Sequence, residues 1–461
     1  MTHSDYHHEK VIYHGKEYFR CEKEERAIPH NKVPVSGKNI CANDIAAMLD
    51  SVLRQQYTAD YYVHKFEKQF GKFVGTGNNT CLAVNSGSSA NLIALSALMS
   101  PLLGDKRLTL GDEVITVAAG FPTTINPIIQ LGLVPVFVDI SKETLNIDLD
   151  LIPKAISPKT KAIFIAHTLG VTCDLVKLQE IAKKYHLWVI EDCCDAMATK
   201  FNGTPVGGFG DIATYSFYPA HHITTGEGGM VVTDNQLLYK AAKSLRDWGR
   251  DCHCDPGQDN ACCRRFTQKH GSLPTGYDHK YVYSHLGYNC KMTEMQAALG
   301  SSQITRVHQF HKARQEHEFI WRSGLMEWRD KGYIEFIYPE YMSEVSWFGF
   351  PIICNPNKVN KHELVAYLES HGVATRPVFA GNYLRQPVIF NYDFIMRVMN
   401  SDDMTHRGLS EKHLAMLPNT DYILHNCFWV GLAQNLTGHH VEYGVSVFNK
   451  FFEGMQDGKV D

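Results

Sequence analysis

Short apolar runs recur along the first two thirds of the chain: EVITVA from Glu113, VPVFVD from Val134, AIFIAH from Ala162, LWVIED from Leu187, ATYSF from Ala213 and GMVVTD from Gly229. They are apolar on both faces, so they predict strands of a mostly parallel sheet covered by helices on each side. Segments of roughly 10 to 20 residues between several of them leave room for crossover helices. After a helical stretch from Met292 to about Trp321, the pattern changes to strands such as WFGFPIIC from Trp347. Helical KHELVAYLESHG and VEYGVSVFNKFFEGM follow. The pattern predicts an α/β chain in three parts: a polar N-terminal extension over 1–45, a large domain over 46–316, and a small α+β domain over 317–461.

Composition narrows the class without naming a chemistry. The chain has 461 residues, 44% hydrophobic and 20% charged, with a formal net charge of -4, so no basic surplus points to nucleic acid. A chain of this length buries a large core without covalent staples. Its 13 cysteines therefore need another explanation. Their odd number and a polar opening, MTHSDYHHEK, argue against a secreted disulfide framework and for a reducing cytoplasm. No apolar run reaches the roughly 20 residues of a membrane-spanning helix, so no membrane association is expected.

Three motifs carry candidate chemistry. In NSGSSAN from Asn85, small residues follow a strand-like CLAV and open a helical pattern. Backbone N–H groups at such a helix start, with the hydroxyls of Ser88 and Ser89, suit a phosphate, although the same residues also make an ordinary Gly-Ser helix cap. In VIEDCCDAM, Asp192 ends a buried strand, at the sheet edge where α/β proteins place ligand contacts; a helix cap or surface ion pair is the alternative. The third, TYSFYPAHHITTGEGGMVVT from Thr214 to Thr233, resembles the active-site segment of the DegT/DnrJ/EryC1/StrS sugar aminotransferases, S-F-x-x-x-K-x-x-x-x-G-E-G-G. Ser216, Phe217 and Gly226-Glu227-Gly228-Gly229 fit that pattern, but His221 stands where the family carries its Schiff-base lysine. An imidazole cannot anchor the cofactor covalently, yet it can act as a base near neutral pH.

The resemblance covers the chain from about Tyr57 onward and implies an aspartate-aminotransferase-like fold, pyridoxal-phosphate fold type I. It assigns Ser88, Ser89 and Ser216 to the cofactor phosphate, Phe121 of GFPTTINPI to stacking on the ring, and Asp192 to the ring nitrogen. Asn289 of GYNCKMTEMQAALG is assigned to the neighbouring subunit's cofactor, which implies a homodimer. With His221 as the catalytic base, the cofactor would be unanchored pyridoxamine 5'-phosphate. Arg376 and Tyr383 in ATRPVFAGNYLRQP are candidates to face substrate, against a bland reading as surface residues.

Cysteines then choose a branch. Cys194, Cys252, Cys254 and Cys262 form C-x57-C-x-C-x7-C, with the last three in RDCHCDPGQDNACCRRF. Four thiolates can hold an iron–sulfur cluster or a structural zinc, but C-x-C followed by x7 departs from the paired C-x2-C knuckles usual for zinc. Cys193 and Cys263 adjoin two of the four as alternative ligands, and His222 adjoins His221. The whole pattern is similar to the iron–sulfur branch of the sugar 3-dehydratases. That branch implies a 2Fe-2S cluster, CDP-4-dehydro-6-deoxyglucose as substrate, and a flavin- and iron–sulfur-containing, NADH-dependent reductase as partner. A cluster-free dehydratase of the GDP-4-keto-6-deoxymannose type and a non-enzymatic scaffold are the competing expectations.

Overall fold

The computed structural model describes residues 3–22, 27–77, 80–254, 258–261, 263–340 and 342–456. Each of the six apolar runs of the first two thirds of the chain is a strand of one eight-stranded sheet. Its order is Cys81–Val84, Gly229–Val232, Ile212–Ser216, Trp188–Asp192, Thr160–Ala166, Glu113–Val117, Val134–Val138 and Arg397–Val398. Six of these run parallel as neighbours, whereas Gly229–Val232 pairs antiparallel with the strand on each side. Val/Ile-rich sequence without alternation is the expected signature of strands buried on both faces. Most of them are buried along their whole length.

Helices cover the sheet and begin where capping residues allow. Ser86 caps Gly87–Leu98 by accepting from the Ser89 N–H, and Asp174 caps Leu175–Tyr185 by accepting from Lys177 N–H. Thr293 and Gln296 form a capping box at Glu294–Gln303. The predicted continuous helix from Met292 to Trp321 is interrupted: Ile304–Arg306 is a 3-10 turn that joins Glu294–Gln303 to Val307–Gly324. A tightened turn re-aims the second helix, whose Arg314 is thereby buried behind the central cleft.

The C-terminal part builds a separate antiparallel sheet of Ile334–Phe336, Gly349–Cys354, Cys427–Gly431 and Thr375–Arg376. It also lends Arg397–Val398 to the edge of the large sheet, where Arg397 pairs with buried Glu113 at 2.7 Å. The polar N-terminal extension contains a helix, His3–Glu22, packed against Ala42–Leu53, which hydrophobic periodicity did not announce. Among the described residues no helix is long and apolar enough to cross a membrane.

Candidate active site

A cleft of about 570 Å³ opens at the carboxyl ends of the central strands, lined in part by Ser86, Gly87, Ser88, Phe121, Asp192, Cys194, Ser216 and His221. Strand ends are where an open α/β sheet leaves backbone free to turn toward a ligand. Asp192 ends Trp188–Asp192, Ser216 ends Ile212–Ser216, and Gly87 and Ser88 open the helix after Cys81–Val84. Topology thus gathers three of the seven residues assigned to catalysis and cofactor, Ser88, Asp192 and Ser216, from three strand ends.

The phosphate end is a close-packed turn. A Cβ on Gly87 would lie 2.6 Å from Ser216 Cβ and 3.2 Å from Cys194 Sγ, so only glycine fits. Gly229 is equally constrained, because a Cβ there would meet the Ser86 carbonyl oxygen at 2.4 Å. These contacts explain Gly87 of NSGSSAN and Gly229 of GEGG as close approach, whereas Gly226 is set by its positive φ of 81°. As in any helix, the first N–H groups lack intrahelical acceptors, and here those of Gly87 and Ser88 stand at the cleft. Ser89 is turned differently from the expectation: it receives the Ser86 hydroxyl's hydrogen bond at 3.0 Å and serves the cap, and Ser86 lines the cleft.

Asp192 is held in one orientation. Asn91 Nδ2 and Thr124 Oγ1 donate to its Oδ2 at 2.8 and 2.7 Å, and Cys194 N–H donates to Oδ1 at 3.1 Å. Asn91 is itself aimed by the Thr214 hydroxyl at 2.5 Å. A carboxylate fixed in this way suits a protonated ring nitrogen, since it need not reorganise to meet the charge. Phe121, half exposed at 51%, forms a wall of the same cleft, and its ring meets Phe379 edge to face at 5.9 Å. Phosphate turn, oriented carboxylate and aromatic wall together fit a pyridoxamine phosphate.

His221 enters the cleft beside Asp195, with Nδ1 3.6 Å from Asp195 Oδ1 and the ring 5.1 Å from Phe348. Burial and the nearby Arg314 charge push the imidazole down to about 3. Burial and the Asp192 carboxylate push Asp195 up to about 8. At 3.6 Å the two are beyond hydrogen-bond distance, and burial neutralises both, so this is a neutral contact instead of an ion pair. Arg314 fixes the backbone behind His221. It donates to the carbonyls of Trp347 and Phe348 at 2.9 and 3.0 Å, to Gln434 Oε1 at 2.7 Å, and to the His221 carbonyl at 3.4 Å. His222 turns the other way, into the core, where its Nε2–H donates to the Ser346 carbonyl at 2.9 Å.

One buried residue at the cleft was not anticipated: His167 lines it, and its Nε2 is 3.0 Å from Oε2 of buried Glu191. Burial favours a neutral Glu191, yet the His167 contact and the N–H groups of Gly207 and Gly210 hold that carboxyl below its usual range. An ionised Glu191 only accepts, so Nε2–H is the donor and the His167 tautomer is set. The acidic pair in VIEDCC was the available signal: Asp192 faces the cleft, while Glu191 accepts from the N–H groups of Gly207, Phe209 and Gly210.

The cysteines divide between two places. Cys194 lines the cleft, and burial with the Asp192 charge pushes its thiol well above the usual range. Cys193 lies in the apolar core, its Sγ donating to the Glu191 carbonyl at 3.8 Å. Cys252 and Cys254 line a separate small cavity with Gln258, Asn260, Arg265, His279 and Lys280. Cys262 lies outside the described residues, and Cys263 is exposed. Among the described residues, two groups bring three ligand-type atoms within 4.8 Å, His167–Glu191–Cys193 and Asp251–His270–His279; neither includes Cys194, Cys252 or Cys254. Asn289 is exposed, bridged to Asp247, and does not line this chain's own cleft. Arg376 does line it, whereas Tyr383 is buried in the core with its hydroxyl on Asn126.

Fold and site together define an enzyme of the fold type I, pyridoxal-phosphate-dependent class. Residues 39–448 match the profile of the DegT/DnrJ/EryC1/StrS aminotransferase family, and the chain belongs to that family. It is 49% identical over 421 residues to the lipopolysaccharide biosynthesis protein RfbH of Salmonella typhimurium, covering 91% of this chain and 92% of that protein. It is 41% identical over 448 residues to dTDP-4-dehydro-2,6-dideoxy-D-glucose 3-dehydratase of Saccharopolyspora spinosa, covering 96% and 92%. Among solved structures, E. coli GDP-4-keto-6-deoxy-D-mannose-3-dehydratase with bound hydrated PLP superposes with a TM-score of 0.76 at 28% identity, over 90% of this chain and 99% of that one.

Proposed function

We propose that this chain removes the C3 hydroxyl of CDP-4-dehydro-6-deoxy-D-glucose, using pyridoxamine phosphate and a 2Fe-2S cluster, in the making of 3,6-dideoxyhexoses for lipopolysaccharide. The observation that carries the reading is His221 at the lysine position, facing the same cleft as Asp192. Relatives named as 3-dehydratases of a dTDP- and a GDP-linked sugar support C3 dehydration, and the name of RfbH, a lipopolysaccharide biosynthesis protein, supports the link to lipopolysaccharide. The net change replaces C3–OH by C3–H: two electrons and two protons enter and one water leaves.

Bound pyridoxamine phosphate supplies an amine for the 4-keto group and a conjugated ring that accepts electron density. The turn at Gly87 and Ser88, with Ser216, holds the phosphate, and Asp192 keeps the ring nitrogen charged. His221 presents Nδ1 to Asp195, which leaves Nε2 to take up and return the proton. Its neutrality over most of the pH range keeps that lone pair available. Phe121 would stack on the ring, and Phe348 packs against the His221 imidazole at 5.1 Å.

Cys194, Cys252, Cys254 and Cys262 would hold the cluster, which supplies one-electron transfer. Ligation by Cys194 would release a proton that burial and the Asp192 charge otherwise hold on the thiol. A flavin- and iron–sulfur-containing, NADH-dependent reductase delivers the electrons, and exposed Asn289 completes the partner cleft of a homodimer. The test is anaerobic purification with iron and acid-labile sulfide analysis of wild type and Cys252→Ser. About two irons and two sulfides per chain, lost in the variant while pyridoxamine phosphate still binds, is the expected result. Zinc or no metal in the wild type refutes the cluster and favours the GDP-sugar type of dehydratase, with glutamate as amino donor.

A further inference from the structure

A catalytic base is ordinarily aimed by a third group that hydrogen-bonds its far nitrogen. His221 has no such partner: its Nδ1 is buried without a hydrogen bond, because Asp195 stands 3.6 Å away. The direction of the imidazole must therefore come from Phe348, packed against the ring, and from the backbone that carries it. That backbone is gripped from behind by two side chains that do not line the cleft, Arg314 on the helix Val307–Gly324 and Gln434 just after the small-sheet strand Cys427–Gly431.

Arg314 is fully buried, and a guanidinium out of water is costly unless its donors are met. Here they are. Nε and Nη2 donate to Gln434 Oε1 at 3.0 and 2.7 Å, Nη1 to the Trp347 and Phe348 carbonyls at 2.9 and 3.0 Å, and Nη2 to the His221 carbonyl at 3.4 Å. These bonds fix the Gln434 amide, since the oxygen is taken by the cation. Its Nε2 then donates to the His222 carbonyl at 3.2 Å. The His222 ring adds a third tie, donating from Nε2 to the Ser346 carbonyl at 2.9 Å. Both carbonyls of the histidine pair are thus held by groups that come together only when the C-terminal sheet packs on the large domain.

We propose that Arg314 and Gln434 are positioning residues for the His221 base, a clamp on its backbone that replaces the side-chain partner the imidazole lacks. The inference rests on the reading of His221 as the base. Gln434→Glu tests it, because the variant is isosteric and keeps an oxygen for Arg314, yet a carboxylate cannot donate to the His222 carbonyl. Protein loaded with pyridoxamine phosphate is mixed with CDP-4-dehydro-6-deoxy-D-glucose, and the single-turnover change in cofactor absorption is followed against substrate concentration. Wild type, Gln434→Glu, His221→Asn and the double variant are compared.

The expected result is a maximal rate about 10- to 100-fold lower in Gln434→Glu, with the half-saturating substrate concentration and the cofactor affinity at wild-type values. A merely structural role would lower cofactor affinity and rate together. In the His221→Asn background the same substitution should cost less than about 2-fold more, because a residue that acts through the imidazole has nothing left to position. A wild-type maximal rate in Gln434→Glu, a parallel loss of cofactor affinity, or a loss that multiplies with that of His221→Asn overturns the clamp. No absorption change in wild type, or a wild-type rate in His221→Asn, overturns the functional reading itself, so the two failures are distinct.

Discussion

Side chains that meet in the cofactor cleft stand where regular elements end or begin: Asp192 and Ser216 close strands, and Gly87 and Ser88 open a helix. The stretch from Trp248 to Asn289, which carries Cys252 and Cys254, is different. Among its described residues it contains one short 3-10 turn, His279–Tyr281, and side chains tie it together. Arg265 grips Asp278 in a fork at 3.0 and 2.8 Å, His279 meets Asp251 at 2.7 Å, and His285 reaches Ser100 at 2.7 Å and Ser244 at 2.9 Å. Proton transfer and ring orientation demand placement to fractions of an ångström, which strand ends provide. An electron carrier asks its protein for the right ligands and surroundings more than for one rigid frame.

If the cleft is the rigid half, small changes in it should cost most. His221→Asn removes the proton carrier and should lower the deoxygenation rate by about 10²- to 10⁴-fold while the cofactor's absorption spectrum persists. A rate near wild type, measured with the same cofactor occupancy, would remove His221 from the mechanism. Gly87→Ala comes next. Its methyl would press on Ser216 and Cys194, and displacement of the phosphate turn should reduce turnover on the order of 10²-fold with weaker cofactor binding. Unchanged cofactor affinity in a titration of that variant would mean the turn is softer than the strand ends that frame it.

Asp195→Asn should have the smallest effect, and its sign follows from protonation. The folded carboxyl holds its proton up to about 8, whereas the unfolded one releases it near 3.8. Stability from this group is therefore complete below the unfolded value and is lost as pH rises toward about 8. The asparagine variant cannot ionise, so cofactor-free variant and wild type should melt alike near pH 4, with the variant increasingly the more stable toward pH 8. A constant difference across that range, read by thermal melts, would show that Asp195 ionises as an exposed carboxyl does and would weaken the neutral pairing with His221.

Much of this molecule was legible along the chain because the signals are local. Apolar runs without alternation specify strands buried on both faces, and each of the six became one. Serine and glycine around a helix start, an acidic pair at a strand end, and histidine where a relative has lysine are likewise short-range facts, so Ser88, Asp192 and His221 could be named before any contact was known. Directions and meetings were decided by tertiary structure. Of two neighbouring histidines, packing turned His221 to the cleft and His222 to the Ser346 carbonyl; of two neighbouring cysteines, it gave Cys194 to the cleft and Cys193 to the core. Ser89 bonds the Ser86 hydroxyl at the helix cap, and Ser86 also lines the cleft, for the same reason. Phe379 and Arg314 reach the site from far along the chain, and no periodicity announces them. Sequence sets which groups are available within a turn or two, whereas which of them share a cavity depends on how distant elements pack, through contacts that only the folded chain contains.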